Sequence, residues 1–255
     1  MIDLHTHVLP GMDDGSRSPE ESARMLRELA AQGVTLAAAT PHFYAGENSP
    51  DRFLRRRKEA WERLQPALEP GMPELTLGAE VCYFEGLCRN DELPLLCMEG
   101  TDTLLLEMPF EPWSRRMLGD LLELADRGDM RVVLAHVERY MPFQSRDVWD
   151  HVLQSMVLMQ SNADFFLALR SRRRALHLLR DGQVQLLGSD CHGMEHRPPR
   201  IGSAAAYIRR HLGDGVLERI DTLAASLLFD LGMLGVFKYS GFFVENLNLL
   251  TGLSL

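Results

Sequence analysis

His5 and His7 stand two residues apart near the start of the chain, and Asp190 and His192 repeat that spacing near residue 190. In an extended segment residues i and i+2 point to the same side, so each pair can aim both side chains at one point. Asp13 and Asp14 follow the first pair in a glycine-flanked loop, and His42, Glu80, Glu107 and His136 occur singly between the pairs. Imidazole and carboxylate donors without a thiolate suit Mn, Fe or Zn better than copper or a cluster, and a carboxylate-rich set leans to Mn or Fe. So many donors need two or three divalent ions. A metal pair can generate hydroxide at neutral pH and stabilise both the attacking and the leaving oxygen of an in-line displacement. Taken singly, a His-x-His is usually incidental and a lone glutamate at a barrel mouth is usually a paired charge. Taken together they are not, because clustered carboxylates repel one another and are costly to desolvate unless a cation sits among them.

The elements that must position these residues follow from the apolar pattern. Strands are expected at Ile2–Leu4, Val34–Thr40, Leu75–Val81, Thr103–Glu107, Arg131–Ala135, Val157–Ser161 and Val184–Ser189, with amphipathic helical stretches between them. Ser18-Pro19-Glu20-Glu21 reads as a capping box with proline in the first turn, Gly33 closes that helix, and Ser49-Pro50-Asp51 opens the next. Strands alternating with helices predict a parallel sheet, and 255 residues suit a closed barrel better than an open sheet. Nearly every expected strand delivers a histidine or carboxylate at its C-terminal end, where barrel enzymes carry their active sites. No repeat, linker or shift of composition divides the chain, so a single domain over 1–255 is expected.

Composition excludes several classes. A net charge of -9 argues against a general nucleic-acid binder. Cys82, Cys88, Cys97 and Cys191 lack metal-finger spacing and read as reduced thiols of a cytoplasmic enzyme. The opening residues carry no secretory pattern. The apolar stretch from Leu223 onward is broken by Asp230, Lys238 and Glu245, so no membrane span is expected. The run Arg55-Arg56-Arg57-Lys58 reads as a solvated helix face.

Asp3-Leu4-His5-Thr6-His7 followed by Asp13-Asp14-Gly15 resembles the opening of the PHP (polymerase and histidinol phosphatase) superfamily. Within it the chain is most similar to the bacterial PHP-type protein tyrosine phosphatases of capsule and exopolysaccharide operons. The matching pieces are Pro19-Glu20-Glu21-Ser22, Thr40-Pro41-His42, Gly78-Ala79-Glu80, Leu106-Glu107, His136-Val137-Glu138-Arg139-Tyr140, Ser189-Asp190-Cys191-His192 and Arg197-Pro198-Pro199, in that order. The resemblance implies an α/β fold, a distorted seven-stranded (β/α)7 TIM-like barrel with three divalent metals, Mn favoured and Fe or Zn as alternatives. It implies that His5, His7, Glu80 and Asp190 hold one ion, that Glu80, Glu107 and His136 hold a second, and that Asp14, His42 and His192 hold a third. Arg139 and Arg197 would then clamp the substrate phosphate as catalytic and substrate-binding residues, a task suited to the planar guanidinium.

The activity so implied is hydrolysis of phosphotyrosine by direct attack of a metal-bound hydroxide, on the phosphotyrosine tail of a bacterial tyrosine autokinase that controls capsule or exopolysaccharide synthesis. The alternatives are a PHP phosphoesterase acting on a small metabolite phosphate or a nucleic-acid end, and a metal-holding regulatory module without turnover. The chain departs from the family pattern in the bulky Ala163-Asp164-Phe165-Phe166 after Gln160-Ser161-Asn162, and in Gly241-Phe242-Phe243 before Val244-Glu245-Asn246. The second departure leaves open whether the end of the chain supports a homo-oligomer. Cys191 and Arg197 also spell Cys-x5-Arg, the spacing of thiol-dependent tyrosine phosphatases. Pro198-Pro199 after the arginine and a single glycine between suit no phosphate cradle. Cys191 is therefore expected to be a packed side chain, pointing away from its two neighbours if they lie on an extended segment.

Overall fold

Stretches such as Leu36–Ala39 and Thr103–Glu107 are apolar on both faces, the pattern of parallel strands covered on both sides. In the computed structural model, which describes residues 1–228, every strand pairing is parallel. The strands are β1 Ile2–Thr6, β2 Leu36–Ala39, β3 His42–Phe43, β4 Glu74–Leu77, β5 Glu80–Cys82, β6 Thr103–Glu107, β7 Arg131–Leu134, β8 Leu158–Asn162 and β9 Leu186–Gly188. They pair in the orders β1-β2-β4 and β3-β5-β6-β7-β8-β9. The sheet curls until its outer strands meet. Thr6 bridges Cys191, the Asp190 N–H donates to the His5 carbonyl at 2.8 Å, and the His7 N–H donates to the Cys191 carbonyl at 3.0 Å.

The described residues hold nine strands where the sequence predicts seven, and the surplus has a local cause. Pro41 has no N–H to give, so the strand after β2 restarts as β3. Gly78 breaks the expected Leu75–Val81 into β4 and β5. A Cβ at Gly78 would lie 3.1 Å from the Met98 side chain and 3.3 Å from that of Thr40, so a larger residue would have to push both aside.

Alternation sorts the strand residues into two cores. Ala37, Ala39, Leu104, Leu106, Val132 and Leu134 face the outer helices, while Leu36, Ala38, Leu105, Val133 and Ala135 face inward. The helices are α1 Pro19–Ala31, α2 Pro50–Leu64, α3 Arg115–Asp126, α4 Arg146–Leu153, α5 Ala163–Leu167, α6 Arg172–Arg180, α7 Ile201–Leu212 and α8 Asp214–Leu228. The caps predicted at Ser18 and Ser49 form, each serine accepting the N–H three residues on. Helix α8 lies across the strand starts. Its Asp221 accepts the Ile2 N–H, its Leu227 carbonyl accepts the Thr103 hydroxyl, and its Ala224, Leu227 and Leu228 join the inner core.

The basic run on α2 is a correction to its solvated reading. Arg55 and Lys58 are exposed, but Arg57 is buried, donating to the Gly78 carbonyl at 2.9 Å and to Glu99 at 2.7 Å. It lies one helical turn from Phe53 and from Trp61, on the face that α2 turns inward, so it spans the break between β4 and β5 rather than facing water. Among the described residues no helix is long and apolar enough to cross a membrane. Asp230, Lys238, Glu245 and the segments at 241–246 lie outside the described residues.

Candidate metal centre

The nine residues singled out as ligands converge at the C-terminal end of the curled sheet. His5 and His7 leave β1, Glu107 ends β6, His136 follows β7 and Asp190 and His192 follow β9. Glu80 opens β5, in register with Leu105, on the inner face that Glu107 shares two residues further along β6. His5, His7, Glu80 and His136 are fully buried, Asp190 and His192 nearly so, and Asp14 is exposed on a loop.

Three sub-clusters share edges. The Nε2 atoms of His5 and His7 lie 3.1 Å apart, with Glu80 Oε2 at 3.2 and 3.3 Å and Asp190 Oδ1 at 3.6 Å from each. On one side His136 Nε2 sits 2.7 Å from Glu80 Oε1 and 3.2 Å from Glu107 Oε1. On the other, Asp14 Oδ1 lies 3.3 Å from His192 Nε2 and 3.7 Å from His42 Nε2. The His7 ring stacks on His192 at 3.8 Å and joins this third group. Glu80 lies in the middle, reaching one group with each oxygen.

Buried atoms with no hydrogen-bond partner test whether cations fit. Glu80 Oε2 and His192 Nε2 are such atoms: each has charged or imidazole neighbours within 3.3 Å in the cluster, but none in hydrogen-bonding geometry. Facing imidazole lone pairs between two carboxylates are unfavourable without a positive charge between them. The donor set is nitrogen and oxygen, as divalent ions of the Mn, Fe and Zn kind take. The residues fit the ions.

Polar neighbours that the sequence did not flag as partners hold the ligands in place. Asp13 Oδ2 takes the His7 Nδ1 at 2.7 Å and the His42 backbone N–H at 2.9 Å. Gln160 Oε1 accepts the His136 N–H at 2.8 Å and lies 3.3 Å from His5 Nδ1, and its amide donates to Asn162, which donates in turn to Asp190 at 2.8 Å. Fixing the far nitrogen of an imidazole sets its tautomer and aims the near one. Asp3, fully buried, accepts the Ser189 and His5 N–H groups and ties β1 to the loop after β9. The available signals were Gln160 and Asn162 two apart on a strand and a run of polar residues, Asp3 to His7, in a buried strand.

The electrostatics follow from that packing. Burial works to lower the His7 pKa, but Asp13 and Glu80 override it and push it up to about 10. His136 is pushed up to about 9 against its burial by Glu107 and Glu80. Burial and the charge of His7 bring His192 down to about 4. Burial raises Asp190, but the surrounding His5, Arg139 and His7 charges hold it well below the usual carboxylate range. A neutral His192 beside ionised Asp190 is already in the state that binds a metal.

Backbone strain is confined to this end. Among the described residues only His136 and Asp190 are non-glycine residues with positive φ, at 33° and 51°. At Gly188 a Cβ would lie 2.7 Å from the Gln160 amide and 2.8 Å from the His5 Cβ, so only glycine lets these two chains approach.

Arg139 pairs with Asp190, and Arg197 reaches Asp190 at 3.4 Å and Asp14 at 3.1 Å. Both arginines are about one-third exposed at the rim. A cavity of about 270 Å³ opens beside them, walled by Asn162, Phe165, Ala168 and Pro198. A larger cavity of about 740 Å³ lies between α6 and α8 at the strand starts and contains none of the nine residues. Exposed Phe110 stands 5.7 Å from the His136 ring and 6.0 Å from the Arg139 guanidinium. Cys191 is fully buried in the outer core. Asp190 beside it has a left-handed φ of 51°, so the segment is not the regular extended one expected. Cys82, two residues after Glu80, places its Sγ 3.0 Å from Glu107 Oε2, a contact that cysteine spacing alone does not reveal.

Residues 1–229 match the family described as capsular polysaccharide synthesis, CpsB/CapC. The chain is 25% identical over 232 residues to the tyrosine-protein phosphatase CpsB of Streptococcus agalactiae serotype V, covering 84% of this chain and 91% of that one. It is 26% identical over 222 residues to the tyrosine-protein phosphatase YwqE of Bacillus subtilis, covering 84% and 85%. A crystal structure from work on YwqE of Bacillus subtilis and CpsB of Streptococcus pneumoniae, described there as metal-dependent tyrosine phosphatases, superposes with a TM-score of 0.75 at 23% identity, covering 89% of this chain and 94% of that one.

Proposed function

This chain belongs to the CpsB/CapC family of capsular polysaccharide synthesis, and from that premise we propose that it is a metal-dependent phosphatase of protein phosphotyrosine. The observation that carries the reading is the convergence of five imidazoles and four carboxylates in adjoining groups at one end of the sheet, with two arginines at the rim. In this reading the nine strands are the staves of a distorted seven-stranded (β/α)7 barrel and the chain is one metallophosphatase domain. His5, His7, Glu80 and Asp190 would hold one ion, Glu80, Glu107 and His136 a second, and Asp14, His42 and His192 a third, with Mn favoured. Such ions, when bound, supply an activated water and charge stabilisation for in-line displacement at phosphorus.

The protein's own residues supply the rest. Asp13, Gln160 and Asn162 fix the imidazoles and Asp190 before any ligand arrives, so little reorganisation remains at the moment of reaction. Arg139 and Arg197, paired with Asp190 and one-third exposed at the rim, have further N–H groups that would grip non-bridging phosphate oxygens. Phe110 offers an exposed ring beside Arg139 against which an aryl ester can lie. The substrate is the phosphotyrosine tail of a bacterial tyrosine kinase of polysaccharide export, and the site of action is the cytoplasm.

The test is phosphate release from a phosphotyrosine peptide, histidinol phosphate and a nicked oligonucleotide, before chelation, after it, and after adding back Mn. Metal-dependent release from the peptide in clear excess over the other two is expected. Preference for either other substrate, or full activity in metal-free protein, overturns the reading.

A further inference from the structure

The Glu80-Val81-Cys82 strand carries a second inward side chain that the phosphatase reading leaves unused. Two residues along β5 from Glu80, Cys82 faces the same side. Its Sγ lies 3.0 Å from Glu107 Oε2 and 3.9 Å from His42 Nδ1, and one donor atom from each of the three residues falls within 4.8 Å of the others. All three are only partly buried, so an ion can reach them from the mouth. We propose that Cys82, Glu107 and His42 form an inhibitory site for a thiophilic divalent cation such as zinc or cadmium.

Softness decides which ion goes there. A thiolate adds strongly to the affinity for zinc or cadmium and little to that for Mn, which prefers oxygen and nitrogen. As the metal–sulfur bond forms, the thiol proton passes to solvent. Competition decides the consequence. A neutral imidazole has one lone pair to give. His42 Nε2 faces Asp14 at 3.7 Å, while Nδ1 lies 2.9 Å from Glu80 and faces Cys82. An ion held through Nδ1 takes His42 from the Asp14–His192 group, while Glu107 meets it through Oε2 and keeps Oε1 toward His136. One soft cation therefore disables the Asp14–His192 group.

Cadmium chloride titrated into the metal-free protein, in buffer without thiols, reads the site by the ultraviolet thiolate-to-cadmium charge-transfer band, which nitrogen and oxygen ligands do not give. The wild type shows the band, and both Cys82→Ser and Cys82→Ala lose it, while Cys88, Cys97 and Cys191 remain in place. In the second arm zinc is added to the Mn-loaded enzyme acting on phosphotyrosine peptide. Relative to each variant's own Mn-supported rate, the half-inhibiting zinc concentration rises at least about tenfold in both variants, the low end for removing a group that supports a metal site. No band in the wild type, a band kept in either variant, or unchanged zinc inhibition overturns the proposal. This second arm rests on the phosphatase reading. If no ester is hydrolysed that reading fails, and the cadmium band still decides the site.

Discussion

At the strand starts, Leu4, Leu36, Leu105, Val133 and Leu186 pack against Ala224, Leu227 and Leu228 of α8. At the opposite, C-terminal end of the sheet, the inward side chains are His5, Glu80, Glu107, His136 and Asp190. On β6 the change from one regime to the other takes two residues, Leu105 to Glu107. The apolar end uses relaxed backbone, burial and satisfied hydrogen bonds from Ile2 and Thr103 to α8. The polar end keeps two left-handed non-glycine residues and buried donors and acceptors without partners. Strain and unmet polar groups persist only where surrounding structure enforces them and a ligand relieves them. One end therefore stabilises the fold and the other is held ready by it.

The comparison breaks most decisively at Glu80. Glu80→Ala takes a ligand from two groups at once, and turnover should fall by more than about a hundredfold, the upper end for losing groups that merely support ligands. Metal content per chain should fall with it, while the metal-free protein stays folded with a thermal midpoint lowered by the lost Glu80 contact to His7. A variant that loses its fold before its metal would erase the division between the two ends. The mirror experiment is Leu105→Ala. It should cost about 2–5 kcal/mol of stability in denaturant unfolding and leave turnover per folded molecule nearly intact.

Arg139→Lys keeps a charge at the rim and loses the planar fork. Turnover should drop by about ten- to a hundredfold, the range of one charged hydrogen bond, with metal analysis unchanged. Loss of metal in this variant would place Arg139 among the metal-holding groups instead.

pH separates the ends in sign. The Asp13 and Glu80 carboxylates raise His7 to about 10, so in the metal-free protein this contact stabilises the fold fully below the ordinary imidazole pKa, and the stabilisation is lost as pH rises through about 10. Metal binding needs neutral imidazole, so at pH 7 it must expel protons from His7 and His136. Apparent Mn affinity should rise from pH 7 to about 9 while metal-free stability falls. Titration calorimetry in buffers of different ionisation enthalpy counts the protons released, and a flat affinity with no release would refute the assignment. The smallest effect belongs to Cys191→Ser. A hydroxyl in the outer core should cost about 1–3 kcal/mol of stability, and hydrolysis should stay insensitive to thiol alkylation. A folded but inactive serine variant would reinstate the thiol mechanism.

Residue spacing and apolar pattern were enough to predict the parallel α/β fold, the helix caps at Ser18 and Ser49, and the polar residues that meet at the strand ends. These are local quantities: a side-chain period of two, a serine three residues before an N–H, a proline without one. The partition of the ligands among three ions came from family resemblance, because spacing along a chain does not say which strands will be neighbours. Tertiary structure alone decided that Asp13 backs His7, that Gln160 joins His5 to His136, and that Arg57 is buried against the Gly78 break. Cys82 shows the limit most clearly. Its two-residue spacing from Glu80 was visible in the sequence, but a partner 25 positions away on β6 became its neighbour only when parallel pairing set Cys82 beside Glu107. A long-range register is fixed by the closing of the sheet as a whole, and no window of sequence contains it.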